Sequence, residues 1–166
     1  MKANVDIPVP MGKMEIDFIQ GETPVGYYIK DTYKYQTNLS LSVGNADQGS
    51  TTSSQVVIEK PTGNTVDITI SGFDKTGGAM ATFAEFTVSG VKVTANNDGS
   101  YSLSLDTFEA DTEKTTGGNL VINGKSLTGT ILANGTITIN TVFSPGEMPM
   151  PITAEFTGSN TQSSAQ

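Results

Sequence analysis

The feature that most constrains this chain is a strict alternation of apolar and small polar residues, repeated in short runs from about residue 33 to residue 157. Leu39-Ser40-Leu41-Ser42-Val43 shows it, as do Val66-Asp67-Ile68-Thr69-Ile70-Ser71 and Tyr101-Ser102-Leu103-Ser104-Leu105. Phe86-Thr87-Val88, Val91-Lys92-Val93, Leu127-Thr128-Gly129-Thr130-Ile131, Ile137-Thr138-Ile139 and Ile152-Thr153-Ala154-Glu155-Phe156 continue it. Successive side chains of an extended strand point to opposite faces. Period two with one apolar face therefore describes antiparallel strands set against a core on one side and water on the other. No eleven-residue window carries apolar residues at i, i+3, i+4 and i+7, so no long helix is expected.

Turn residues punctuate the runs. Pro61-Thr62-Gly63-Asn64, Asn96-Asn97-Asp98-Gly99, Asn123-Gly124 and Asn134-Gly135 fall between alternating segments, and Asn-Gly and Asp-Gly supply the positive φ angles of tight hairpins. Hairpins in sequence order make a meander of about eight to ten short strands. Such a sheet must close or fold over itself to hide its edges and its apolar face. Gly44–Ser54 and Thr107–Asn119 read as longer loops. Residues 1–30 read as an irregular segment with one possible strand at Met14–Ile19, because Pro8, Pro10 and Pro24 argue against a helix. Residues 31–158 read as one β-domain and residues 159–166 as a disordered polar tail.

Composition narrows the chemistry. The chain has no His, no Cys and no Trp, so a Ser-His-Asp triad, a thiol nucleophile, a thiolate metal cluster and a disulfide are all ruled out. Nine Lys and no Arg stand against 17 acidic residues, for a net charge of −8, which disfavours nucleic acid as a partner. No apolar run approaches the ~18 residues of a transmembrane helix. The first residues lack the apolar stretch of a signal peptide, which fits an intracellular chain or a mature, exported one.

Three groups of residues stand out. Tyr27, Tyr28, Tyr33 and Tyr35 could stack a ligand or pack across strands, and the spacing of Tyr33 and Tyr35 places both on one strand face. In Met148-Pro149-Met150-Pro151 the prolines favour an extended path with both Met side chains to one side. They could line a barrel mouth or simply fill the core at the entry to the last strand. Asp106, Glu109, Asp111 and Glu113 form an acidic run that fits a solvated loop better than a Ca²⁺ site. Glu85 and Glu155, which would be candidates for glycoside hydrolysis if they faced inward together, fall on outward positions. Gly77-Gly78 and Gly117-Gly118 lack the Lys-Ser/Thr of a phosphate-binding loop. Gly90 and Gly129, inside strand patterns, suggest bulges or barrel corners.

The ordered series of hairpins resembles a known family. Asp31-Thr32-Tyr33-Lys34 leading into Leu39–Val43 is similar to the opening strand of the calycin-like β-barrel family of bacterial envelope proteins. Ile68–Phe73, Val88–Val93 and Asp98–Tyr101 are similar to its next hairpins. Leu127–Thr130, Asn134–Ile139, Pro145–Ile152 and Phe156-Thr157-Gly158 match its closing strands in order and spacing. The resemblance covers residues 31 to 158. It departs in the first 30 residues and in the absence of the Gly-x-Trp that lipocalins carry. It implies an all-β, lipocalin-like closed barrel, exported to the periplasm or cell surface of a Gram-negative bacterium, with no enzymatic activity and no cofactor. The expectation is a monomer that does not span the membrane and binds a small apolar ligand or a surface partner. The candidate contacts are Tyr33, Tyr35, Phe86, Phe143, Met148 and Met150. A structural or adhesive surface module with a side-chain-filled core is the alternative.

Overall fold

The computed structural model describes residues 2–9, 12–19, 29, 31–59, 61, 63–80 and 82–161. The described strands are β1 (Lys2–Val9), β2 (Gly12–Ile19), β3 (Tyr33–Val43), β4 (Ala46–Ile58), β5 (Thr65–Ser71), β6 (Glu85–Ala95), β7 (Tyr101–Leu105), β8 (Phe108–Glu113), β9 (Asn119–Ile131), β10 (Thr136–Pro145) and β11 (Ile152–Asn160). One 3-10 turn, Phe73–Lys75, is the only helical element among these residues.

Eight strands close into an antiparallel barrel in the order β10-β11-β3-β4-β5-β6-β7-β9, and pairing of β9 with β10 completes the circle. The alternating runs dictate this. Leu39, Leu41, Val56, Ile58, Val66, Ile68, Ile70, Val88, Leu103, Ile122, Leu127, Ile137, Ile139 and Phe156 are all buried inside, while the intervening Ser, Thr, Asn, Lys and acidic residues face outward. Closure removes the sheet edges that a meander would otherwise expose. Interior polar groups are paired: Thr37 and Ser54 share a 2.6 Å hydroxyl hydrogen bond, the Ser54 hydroxyl donates to the Thr37 carbonyl at 2.8 Å, and the Thr141 hydroxyl donates to the Ser126 carbonyl at 3.0 Å.

Local irregularities follow from particular residues. Gly90 adopts φ +78° where the β5–β6 register shifts between Val66 and Ile68, and its N–H donates to Asp67 Oδ1 at 3.2 Å, so it is a bulge. Gly129 lies in an unbroken register with Leu103 and Ile139, and a Cβ there would lie 2.7 Å from the Thr138 carbonyl oxygen. It serves close strand approach and not a bulge.

Two segments expected as loops are strands. Gly44–Ser54 holds only the two-residue turn Gly44-Asn45, and β4 begins at Ala46. Its first half pairs with β3 alone, since the β4–β5 ladder starts at Gln55. Its largely exposed side chains carry no apolar signal to read. Thr107–Asn119 likewise contains β8. The β7–β9 register, Leu105↔Leu127, continues unshifted as Phe108↔Gly124 to Glu113↔Asn119, so β8 prolongs the line of β7 beyond Asp106-Thr107. Glu109, Asp111 and Glu113 are its outward residues. Ser159 and Asn160, expected in a tail, belong to β11, and residues 162–166 lie outside the described set. The N-terminal segment, read as irregular, holds two strands that form a separate two-stranded sheet, in register from Lys2↔Ile19 to Val9↔Gly12. Pro8 is tolerated there because a two-stranded sheet has only edge strands.

Beside β8 the barrel wall is parted. β6 pairs with β7 through Lys92–Ala95, and a single Phe83↔Lys114 bridge joins the segment before β6 to the end of β8. Between these points the Thr112 hydroxyl donates to the Glu85 carbonyl, and the Phe86 and Phe108 rings stack across the gap at 6.2 Å. Alternate β8 amides therefore face the slit and not β9. In amide hydrogen exchange these are expected to exchange much faster than their β9-bonded neighbours; uniform protection along Phe108–Glu113 would contradict a parted wall.

Candidate functional site

The two barrel ends differ in chemistry. At one end the 3-10 turn that follows Gly72 (φ +102°) carries Phe73, 1% exposed, into the barrel. Its ring lies 4.8 Å from Phe83, 5.3 Å from Phe86, 5.7 Å from Phe143 and 5.8 Å from Phe156. Phe86 and Phe143 are themselves 5.1 Å apart. These centroid spacings are those of packed aromatic cores, and the rings fill this end.

Among the described residues the opposite end is open. Tyr33 and Tyr35 at the start of β3 meet Tyr101 at the start of β7 around a pocket of about 300 Å³, with Ile29, Ile131 and Leu132 as apolar walls. Leu132 is 44% exposed at the rim. Tight loops fix the remaining wall. The 96–99 turn is tied by Asn96 N–H to the Ser100 carbonyl at 2.9 Å, and Asp98 Oδ1 accepts from the Ser100 hydroxyl at 2.6 Å and its N–H at 3.0 Å. Those Ser100 contacts hold the Asp98 carboxyl below the usual carboxylate range. The 132–135 turn is closed by Gly135 N–H to the Leu132 carbonyl at 2.9 Å, and it accepts the Asn160 N–H at 3.0 Å through the Gly135 carbonyl. The mouth is thus a rigid rim around three phenols.

Tyr35 is the deepest of the three, 4% exposed. Burial, with the neighbouring Tyr33 as a smaller cause, pushes its pKa from 10.0 up to about 12. A raised folded-state value favours the neutral phenol. Its contribution to stability is complete below pH 10 and is lost as pH rises through 12. Thermal midpoints are expected to fall over that window, with a shallower fall in Tyr35→Phe; equal slopes would remove Tyr35 from the account.

The candidate residues do not converge. Tyr33 and Tyr35 line the open mouth, whereas Phe86 and Phe143 belong to the phenylalanine cluster at the other end. Met148 and Met150 also lie at that end, in the β10–β11 connection. The expected extended path with both side chains to one side is corrected: the chain bends at Pro149-Met150, Met148 packs partly buried on the core, and Met150 is 55% exposed. Tyr27 and Tyr28 lie outside the described residues. Tyr101, Leu132 and Ile131 join the mouth without having been singled out. Only the closed register, which sets the start of β7 beside the end of β9, brings them to β3. Glu85 and Glu155 are exposed on the outer surface, Glu155 accepting from Asn140 at 3.2 Å. Among the described residues no group of three or more acidic side chains is placed to hold a metal ion. Two further concavities lie on the outer wall, one of about 600 Å³ lined by Ser40, Thr52 and Glu155 among others, and one of about 390 Å³ over the slit.

A family model described as a calycin-like beta-barrel domain matches residues 32–159. Among solved structures, a crystal structure of "a putative outer membrane protein" from Bacteroides fragilis is similar, at 34% identity and a TM-score of 0.65. The match covers 95% of this chain and 61% of that one, so this chain spans about three fifths of that protein's length. No curated protein matches the chain.

Proposed function

Because the chain belongs to the calycin-like β-barrel domain family, we propose that it is a non-enzymatic binding barrel of the bacterial cell envelope, exported and holding a small, largely apolar molecule in the tyrosine mouth. The observation that carries this reading is the asymmetry of the barrel. One end is packed solid with phenylalanine, while the other keeps a concave, preformed pocket of about 300 Å³, a volume at the lower bound of small-molecule sites. The named neighbour supports the envelope assignment. Outward positions on the barrel are Ser, Thr, Asn, Lys and acidic residues, the inverse of the apolar outer band of a membrane-spanning barrel, so the domain sits beside the bilayer and not in it. No helix among the described residues is long and apolar enough to cross a membrane.

The test is native mass spectrometry of the protein purified from its own cells, for the unmodified chain and for Ala133→Trp. Ala133 is an exposed turn residue that lines the mouth, and an indole there fills it. A discrete bound mass in the unmodified protein that is lost in Ala133→Trp is expected. An empty, folded barrel in both forms would overturn the reading in favour of a structural or adhesive module.

A further inference from the structure

The deepest phenol of the mouth is Tyr35. Tyr35 is nine-tenths buried or more, and its hydroxyl makes no hydrogen bond among the described residues. Yet no buried side-chain oxygen or nitrogen there is left unsatisfied. The Tyr35 oxygen must therefore reach open space, and the open space that Tyr35 lines is the mouth. A buried phenol costs free energy unless its hydroxyl is hydrogen-bonded, and water alone meets that need in the empty mouth. Among the described residues the wall carries no Asp, Glu or Lys side chain. A charged ligand would lose its hydration here without a counter-charge in return, which selects against ions of either sign.

We propose that the mouth selects an uncharged molecule with an apolar ring body and a carbonyl-type acceptor, oriented by a hydrogen bond from the Tyr35 hydroxyl. This rests on the reading of the mouth as the binding site and adds to it the ligand's polarity and pose. The ring body lies against Tyr33, Tyr101 and Ile131, and Leu132 closes over its outer edge. The acceptor points inward, toward the deepest of the three phenols. Tyr35 is thus the residue that distinguishes a ketone from a hydrocarbon of the same shape.

The test uses 1-indanone and indane, two small bicyclic molecules that differ by the carbonyl. Each is titrated into ¹⁵N-labelled protein and into Tyr35→Phe, with amide shifts of the 96–101 and 131–135 segments as the readout. The unmodified protein is expected to bind 1-indanone about five-fold more tightly than indane, the worth of a neutral hydrogen bond. Tyr35→Phe is expected to lose this preference, binding 1-indanone no more tightly than indane. Equal binding of the two by the unmodified protein, or a preference that survives in Tyr35→Phe, overturns the proposal while leaving the mouth as a site. Binding of neither molecule, or shifts elsewhere only, overturns both.

Discussion

Replacing Phe73 with Ala is expected to cost about 3–5 kcal/mol, the range for truncating a fully buried aromatic, and to lower the melting temperature by roughly 8–16 °C for a chain of this size. The side chain is the centre of the plug, in ring contact with Phe83, Phe86, Phe143 and Phe156. It is carried on a short turn and not on a barrel strand, and the Gly72 and Phe73 amides tie that turn to the Ala84 carbonyl at 3.0 and 3.4 Å, so the turn stays in place when the ring is removed. The cavity left behind is walled by Phe86 on β6, Phe143 on β10, Phe156 on β11 and Phe83 in the segment before β6, and cannot collapse without moving the barrel. Thermal unfolding of the variant checks this. A loss below about 1 kcal/mol would mean that the plug is not packed as described. The same variant also probes function: a new cavity at the phenylalanine end should leave 1-indanone binding at the mouth unchanged.

The second large effect is expected at Gly158, where Ala should destabilise by about 3 kcal/mol, the upper range for overpacking. Gly158 pairs with Thr37 across the β11–β3 ladder, next to the shift in the β3–β4 register. A Cβ there would overlap the Gln36 carbonyl oxygen and lie 2.7 Å from the Thr37 Cα. Both are backbone atoms, so no rotamer change relieves the clash. Gly124 makes the useful contrast. Its missing side chain leaves room for the Phe108 ring, which a Cβ would overlap, but that neighbour is a side chain and can swing aside. Chemical denaturation of Gly158→Ala and Gly124→Ala should rank the first as the more damaging. The reverse order would contradict the close approach of β11 to β3.

Much of this architecture is legible in the residues. The runs from Leu39–Val43 to Ile152–Phe156 specify which side chains enter the barrel, because a half-buried antiparallel strand must alternate. Asn96–Gly99 and Asn134-Gly135 place the turns that later form the rim of the mouth. Legibility fails where side chains do not enter the core. The first half of β4 and the acidic strand β8 are held by backbone ladders with side chains largely in water, so they read as loops. The candidate site is hidden for a different reason. Tyr33 and Tyr35 are evident as a pair on one strand face, but their partners Tyr101 and Leu132 lie far away in sequence and meet them only after closure. Phe86, Phe143, Met148 and Met150 have the chemistry of ligand contacts, yet they lie at the other end, where Phe73 packs on the two phenylalanines. Nothing in their local spacing distinguishes a ring that lines a cavity from a ring that fills one.

In the proposed reading, ligand enters at the tyrosine end of the barrel. With no Trp and five Tyr, of which Tyr33, Tyr35 and Tyr101 line the mouth, ring-labelled tyrosine NMR reads that end directly. The measurement is a titration of ring-¹³C-tyrosine protein, also ¹³C-labelled at the phenylalanine rings, with a small-molecule extract of the cells that make it. The account expects saturable shifts of the Tyr33, Tyr35 and Tyr101 ring signals with the Phe73, Phe86 and Phe143 signals unmoved. Saturable shifts of the phenylalanine rings with the tyrosines silent would contradict it.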